Sequence, residues 1–382
     1  MRIPKLASFF YTLICFSATL LISAAAGATE PSDDHHAEEG HESFQAGEYI
    51  IHHISDAHSI HLFGKQAEGI PEVSIPLPVI LWTEDGMKFF MSSAFHHDTE
   101  GKVKVDIGNG KSVVNYHEKI LYAADEMEHG TYATIDHTSH KPMGLQPFDL
   151  SITKSVFGML MIIVLMVIIF RAVANGYKKR PGQAPKGIQN ALEPLIIFIR
   201  DEVAVPSIGE KHAARFTPFL LTVFFFIWLC NILGLIPFFG GFNVTGTLGV
   251  TLVLAGFVFL ITTVSGNKHY WGHILWPPGV PLPIKFILVP IEFVGIFLKP
   301  TVLMIRLTAN ITAGHIVILA FVSLLLIFGE QSQSLGLGVG VGSVLFMVFM
   351  FFLELLVAFL QAYVFTLLAA LYFGDATQEA HH

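Results

Sequence analysis

Apolar positions are distributed along this chain in two ways. Between residues 50 and 150 they come in short runs broken by turn residues. Examples are Ile75 to Trp82, Glu84-Asp85-Gly86, Lys88 to Met91, Lys102 to Ile107 and Gly108-Asn109-Gly110. Short runs between turn signals predict a small domain of several short strands. Beyond Ser151 the runs lengthen to the roughly 20 residues that a helix needs to cross a bilayer. The expected spans are Ser151 to Arg171, Phe216 to Pro237, Gly246 to Val264, Pro283 to Phe328 and Val344 to Tyr372. The last two are long for upright helices, which rise about 1.5 Å per residue. They read as a tilted antiparallel hairpin joined by a Gly-rich loop from Ser332 to Gly342. Residues 187–214 differ. Ile188, Leu192, Leu195, Ile196 and Ile199 recur at helical spacing beside Glu193, Arg200, Asp201 and Glu202, the pattern of an amphipathic helix on a membrane face. The expected fold is an all-α polytopic membrane protein. It has five transmembrane helices, one interfacial helix and a small N-terminal domain with β-structure.

Charge adds direction. Arg2 and Lys5 precede an apolar run from Phe9 to Ala25, and Ala26-Gly27-Ala28 fits the A-x-A cleavage rule. Residues 1–28 are therefore expected to be a signal peptide, residues 29–150 an exported domain and residues 151–382 the membrane domain. Residues 30–48 are polar and acidic and read as disordered. Arg171, Lys178, Lys179, Arg180 and Lys186 follow the first span and place that loop in the cytoplasm, which agrees with an exported N-terminus. The C-terminus is then also cytoplasmic, in a bacterial inner membrane. Residues 30–150 carry 21 acids against 7 Lys, a net −14, whereas residues 151–382 carry 13 bases against 9 acids. The acidic surface argues against nucleic acid as a partner.

Thirteen of the 19 His fall in residues 30–150, among them His35-His36, His52-His53, His58, His61 and His96-His97. A zinc or copper site and a solvated surface are the two readings. The second is preferred, since no metal-ligand spacing recurs and neither Cys15 nor Cys230 lies there. No metal or other cofactor is expected. No G-x-x-x-x-G-K-[ST] motif occurs, so no nucleotide is expected on this chain.

The chemistry concentrates in Ile291 to His315, which reads IEFVGIFLKPTVLMIRLTANITAGH. A charge near the bilayer centre costs about 2.5–3.5 kcal/mol on insertion scales, so Arg306 is a functional residue by default. At about 100° per residue Arg306 and Asn310 share a helix face, Glu292 falls within about 40° of it, and His315 points the opposite way. Glu354 and Gln361, seven residues apart, nearly share a face of the last span.

The segment Arg306-Leu307-Thr308-Ala309-Asn310-Ile311-Thr312-Ala313-Gly314-His315, preceded by Lys299-Pro300, resembles subunit a of the F-type ATP synthase. Leu360-Gln361-Ala362-Tyr363-Val364-Phe365 and Asn231-Ile232-Leu233-Gly234-Leu235-Ile236-Pro237 are two further matches, and the resemblance covers residues 185–373. It implies a proton-translocating stator subunit that is not catalytic on its own. Its two half-channels would serve a buried carboxylate on each subunit of a rotating c-subunit ring. Arg306 would be the essential charge facing that carboxylate, oriented by Gln361. His315 and Glu354 would form the inlet from the exported side, Asn310 would line it, and Glu292 would serve the cytoplasmic outlet. The implied partners are the c-ring, the b-subunit peripheral stalk, the other synthase subunits and the lipid bilayer. The choice between proton and sodium is made where the ion is bound, on the ring. A secondary transporter would predict internal repeats, and none is visible. A membrane-anchored metal sensor would leave Arg306, Glu354 and Gln361 without a role. With every motif residue after Ser151, the exported domain is expected to be dispensable for proton passage.

Overall fold

A computed structural model describes residues 47, 55–63, 73–127, 130–135, 143–236 and 242–378. The expected signal peptide, the acidic stretch at 30–48 apart from Gly47, His52-His53 and Pro237 lie outside them. From Gln45 onward the chain forms one compact unit.

The N-terminal part is built from strands β1 (Ser59–Phe63), β2 (Val73–Pro76), β3 (Pro78–Thr83), β4 (Gly86–Met91), β5 (Val105–Gly108), β6 (Lys111–Tyr116), β7 (Lys119–Tyr122) and β8 (Phe148–Asp149). They form three small antiparallel sheets, β1-β2, β4-β3-β8 and β5-β6-β7. The run expected as one strand from Ile75 to Trp82 is split at Leu77, between Pro76 and Pro78. Proline donates no ladder hydrogen bond, and here the chain passes from one sheet to the next. Gly108 pairs with Lys111 across Asn109 and Gly110, whose φ angles are 57° and 72°. Two consecutive positive φ angles make the primed turn that Asn-Gly favours. Val79 and Leu81 alternate inward and pack with Phe95, Ile107, Val113 and Ile120.

The helices are α1 (Lys154–Lys179), α2 (Ile188–Phe198), α3 (Val205–Ile208), α4 (Glu210–Leu235), α5 (Leu248–Ser265), α6 (Lys268–Leu275), α7 (Leu282–Gln331) and α8 (Gln333–Thr377). Five of them, α1, α4, α5, α7 and α8, are long and apolar enough to cross a membrane. The amphipathic stretch is not one helix to residue 214. A π-helical turn, Ile199–Ala204, joins α2 to α3, and Gly209 at φ 88° ends the segment, so residues 210–214 open α4. The Gly-rich stretch after Ser332 is helical rather than a loop, with Ser332 alone separating α7 from α8. Glycine costs a helix about 1 kcal/mol relative to alanine. The stretch is helical nonetheless, and a helix satisfies its backbone internally.

One apolar core joins the spans. Leu220, Phe224, Phe225 and Ile227 of α4 meet Leu303 and Leu307 of α7 and Ala362, Phe365, Ala369 and Phe373 of α8. The alanines let α8 approach its neighbours closely. At Gly374 the approach is closest, since a Cβ there would collide with the Ser207 backbone oxygen of α3. The same core includes Ile60 and Leu77 of the β-domain beside Ile162 of α1.

Candidate functional site

Helices α7 and α8 pack along one another. The Phe321 and Phe346 rings stack at 4.1 Å, and Lys299 Nζ lies 3.4 Å from Asp375 Oδ2. A Cβ added at Gly314 would lie 3.1 Å from Glu354 Cδ, and one at Gly340 would lie 2.9 Å from a Leu325 methyl. These contacts fix an antiparallel register. In it Glu354 stands level with Gly314 and His315.

Arg306 and Asn310 are exposed from the rest of the chain. Val302 and Ile305 beside them are 48% and 52% exposed, whereas Leu303 and Leu307 are buried on the inner face. A permanently charged guanidinium thus sits on an apolar surface that this chain leaves open. Tyr372 of α8 is within electrostatic reach of it. Asn310 shares this outer face and stands apart from His315.

His315 points inward, where a Cβ at Gly234 of α4 would lie 3.6 Å from its Nε2. Glu354 is 8% exposed. Its two carboxylate oxygens, His315 Nε2 and Thr312 Oγ1 are buried without a hydrogen-bond partner among the described residues. Buried polar atoms are as a rule satisfied, by water where the protein offers no partner. An imidazole and a carboxylate, groups able to exchange a proton near neutral pH, thus lie on neighbouring helices among buried polar atoms.

Glu292 lies at the other end of α7, about 34 Å from His315 at 1.5 Å per residue. Its charge and that of Asp375 act on Tyr270 of α6, whose hydroxyl is raised above its ordinary pKa by burial and then by those two acids. The Lys299–Asp375 pair belongs to the same end.

Further polar residues tie the helices around these groups together. Asn231 on α4, 3% exposed, donates to Ala358 O of α8 at 3.3 Å and accepts from Thr245 Oγ1 at 2.5 Å. Thr251 of α5 bonds Thr308 of α7 at 2.6 Å, two residues from Arg306. Ser155 of α1 bonds Thr247 at 2.9 Å. Asn231 heads one of the matching motifs. The hydroxyls carried no signal, because Ser and Thr at helical spacing look the same whether they face lipid or a neighbouring helix. Among the described residues no group of three or more His, Cys, Asp or Glu side chains could hold a metal ion.

A family model described as ATP synthase A chain matches residues 157–374, beginning in α1 and so earlier than the motifs alone suggest. A second, described as a domain of unknown function, matches residues 49–150. Among similar proteins, "ATP synthase subunit a" of Chlorobium phaeobacteroides is 42% identical over 241 residues, 62% of this chain and 68% of that protein. The protein of the same name from Pelodictyon phaeoclathratiforme is 45% identical over 240 residues, 61% of this chain and 68% of its own. "ATP synthase subunit a 2" of Chlorobaculum tepidum is 47% identical over 236 residues, covering 60% and 64%. The match spans all five of the long apolar helices, with Arg306, His315 and Glu354 among its residues, and this chain belongs to the ATP synthase A chain family.

Proposed function

We propose the route by which this chain, the proton-translocating stator subunit of a rotary F-type ATP synthase, moves protons. Two half-channels meet at Arg306 from opposite ends of the bundle. The inlet uses His315 and Glu354. The outlet uses Glu292. Each proton boards a carboxylate on a rotating c-ring, travels with the ring and leaves through the other half-channel. Arg306 faces that carboxylate, favours its ionised form as it arrives and blocks a direct leak between the half-channels. Guanidinium suits this task because it stays charged at any working pH, as an ammonium in a low dielectric does not. Gln361 orients it. Asn310, on the same outer face, contacts the ring rather than lining the inlet.

The observation that carries this reading is the separation of the two titratable ends. His315 lies toward the end where the β-domain packs, and Glu292 lies toward the end where α1 finishes in Lys178 and Lys179. Basic residues mark the cytoplasmic end of a span. The β-domain is then exported and the C-terminus cytoplasmic, with residues 1–28 acting as the signal peptide and residue 150 as the boundary between domains. The chain performs no catalysis alone and works with the c-ring, the b-subunit stalk and the other synthase subunits. Membership of the family displaces the transporter and sensor alternatives.

The ring-facing surface is tested by crosslinking. Ile305→Cys in the complete complex is expected to form a disulfide with a cysteine placed beside the ring carboxylate, whereas Cys at buried Leu307 is not. Crosslinking from Leu307 and none from Ile305 would place the ring on another face.

A further inference from the structure

The junction between the β-domain and the spans carries charges that this route does not use. Lys154, the first residue of α1, interacts electrostatically with Asp56 and Glu118 of the β-domain. The same ammonium acts on His315 of α7. Asp56, Glu118 and His315 are the titratable groups that the described residues place against it.

These groups are held by specific bonds. Asp56 Oδ1 accepts the Ser155 backbone N–H at 2.8 Å, and Oδ2 accepts the Thr153 hydroxyl at 2.8 Å. A carboxylate is favoured at a helix N-terminus, where backbone N–H groups lack intrahelical partners. The Lys154 N–H donates to Ala57 O at 2.8 Å. Glu118, with its side chain 11% exposed, accepts the His58 backbone N–H at 3.2 Å and lies 3.7 Å from His58 Nδ1. His58 Nε2 bonds Asp149 Oδ2 at 3.0 Å. Burial opposes a charge on His58, but hydrogen bonds and charges from Asp149 and Glu118 outweigh it and push its pKa up to about 9. The imidazolium therefore persists at neutral pH and fixes Glu118 beside Lys154. Farther in, Asn243 Oδ1, Thr312 Oγ1, His315 Nε2 and both Glu354 oxygens are buried polar atoms without a partner among the described residues.

We propose that the β-domain forms the outer mouth of the inlet, with Glu118 as its proton-collecting acid and Lys154 as the positioning residue between Glu118 and His315. The proposal rests on the route above. A proton taken up by the Glu118 carboxylate passes through water to His315 and then to Glu354. Each group returns to its starting protonation state, so the net change is one proton moved. Lys154 governs the affinity at both neighbours because a cation stabilises an adjacent carboxylate and opposes an adjacent imidazolium. On this reading the β-domain is part of the proton path, contrary to its expected dispensability.

The test uses the complete synthase reconstituted in vesicles, with ATP synthesis driven by an acid bath on the β-domain side. Synthesis per assembled complex is followed as the inlet pH is varied. Glu118→Gln is expected to slow synthesis about tenfold, the low end for loss of a positioned proton-transfer group. Lys154→Met is expected to shift the inlet pH at half-maximal rate by about one unit, and Lys154→Arg to restore it. Wild-type rates and pH profiles in all three variants would overturn the proposal. So would fewer assembled complexes with an unchanged profile per complex, since that is what a purely structural junction gives. Arg306→Ala measured in parallel separates the two readings, because normal synthesis there means that the underlying route has failed.

Discussion

At the scale of the residue, the account turns on pairs. His315 and Glu354 lie on different helices; by pattern alone they are two isolated polar positions in apolar runs, and the family resemblance is what pairs them. The register of α7 on α8 brings Glu354 against Gly314, the residue beside His315. If they act as one relay, His315→Glu places two carboxylates together and Glu354→His two imidazoles, and each single exchange should lower the pumping rate severely. The double exchange restores one of each and should recover more than the two single losses allow when combined. A double-mutant cycle on pumping rate measures that coupling. Gly314 supplies a second check. A Cβ there collides with the Glu354 carboxylate, a flexible side chain that can swing aside. Gly314→Ala should therefore leave assembly near normal and slow pumping about tenfold by misplacing a proton-transfer group. The complex yield and the pumping rate together check this. Arg306, Glu354 and Gln361 were legible because charge and amide are rare in apolar helices. Lys154 was not, since a lysine at the start of a span reads as an ordinary interface anchor.

Among the elements, the five spans and the strand-rich character of residues 55–149 follow from apolar run length and turn chemistry. Their limits do not. Gly209 and the π-helical turn at Ile199–Ala204 divide a stretch whose apolar spacing looks continuous, because periodicity reports which face is apolar and not where the backbone changes pitch. Ile199 and Val203 are fully buried within that turn. The Gly-rich start of α8 departs from the expected loop for the opposite reason: local propensity yields to internal hydrogen bonding. The crossing of α3 and α8 tests this level. At Gly374 the obstacle is the Ser207 backbone, which cannot swing away as a side chain can. Gly374→Ala should destabilise the assembled chain by about 1–3 kcal/mol, the usual cost of overpacking. The loss should be seen as a lower thermal midpoint of the detergent-solubilised complex. An unchanged midpoint would mean that the two helices are not in close contact.

For the whole molecule, the β-domain and the spans are joined by a core and by ionisable groups, which gives the junction a pH dependence. The His58 pKa is raised from 6.5 to about 9. Its contribution is complete below about pH 6.5 and is lost as pH rises through about 9; a shift of that size is worth at most ~3 kcal/mol. Burial alone would raise Asp149, but hydrogen bonds from His58 and Ser151 hold it below the usual carboxylate range. Its contribution is present above its ordinary pKa and fades as pH falls through the depressed value. Backbone hydrogen exchange at Leu150, Ile152 and Lys154, corrected for intrinsic rates, should show protection that falls above about pH 8. His58→Gln should remove that dependence. The central claim is that Arg306 is the fixed charge at which two half-channels meet. ATP synthesis by the reconstituted complete complex under an imposed proton gradient tests it most directly. Arg306→Ala is predicted to abolish synthesis while the complex assembles in normal amount, whereas normal synthesis by the assembled variant would contradict the account.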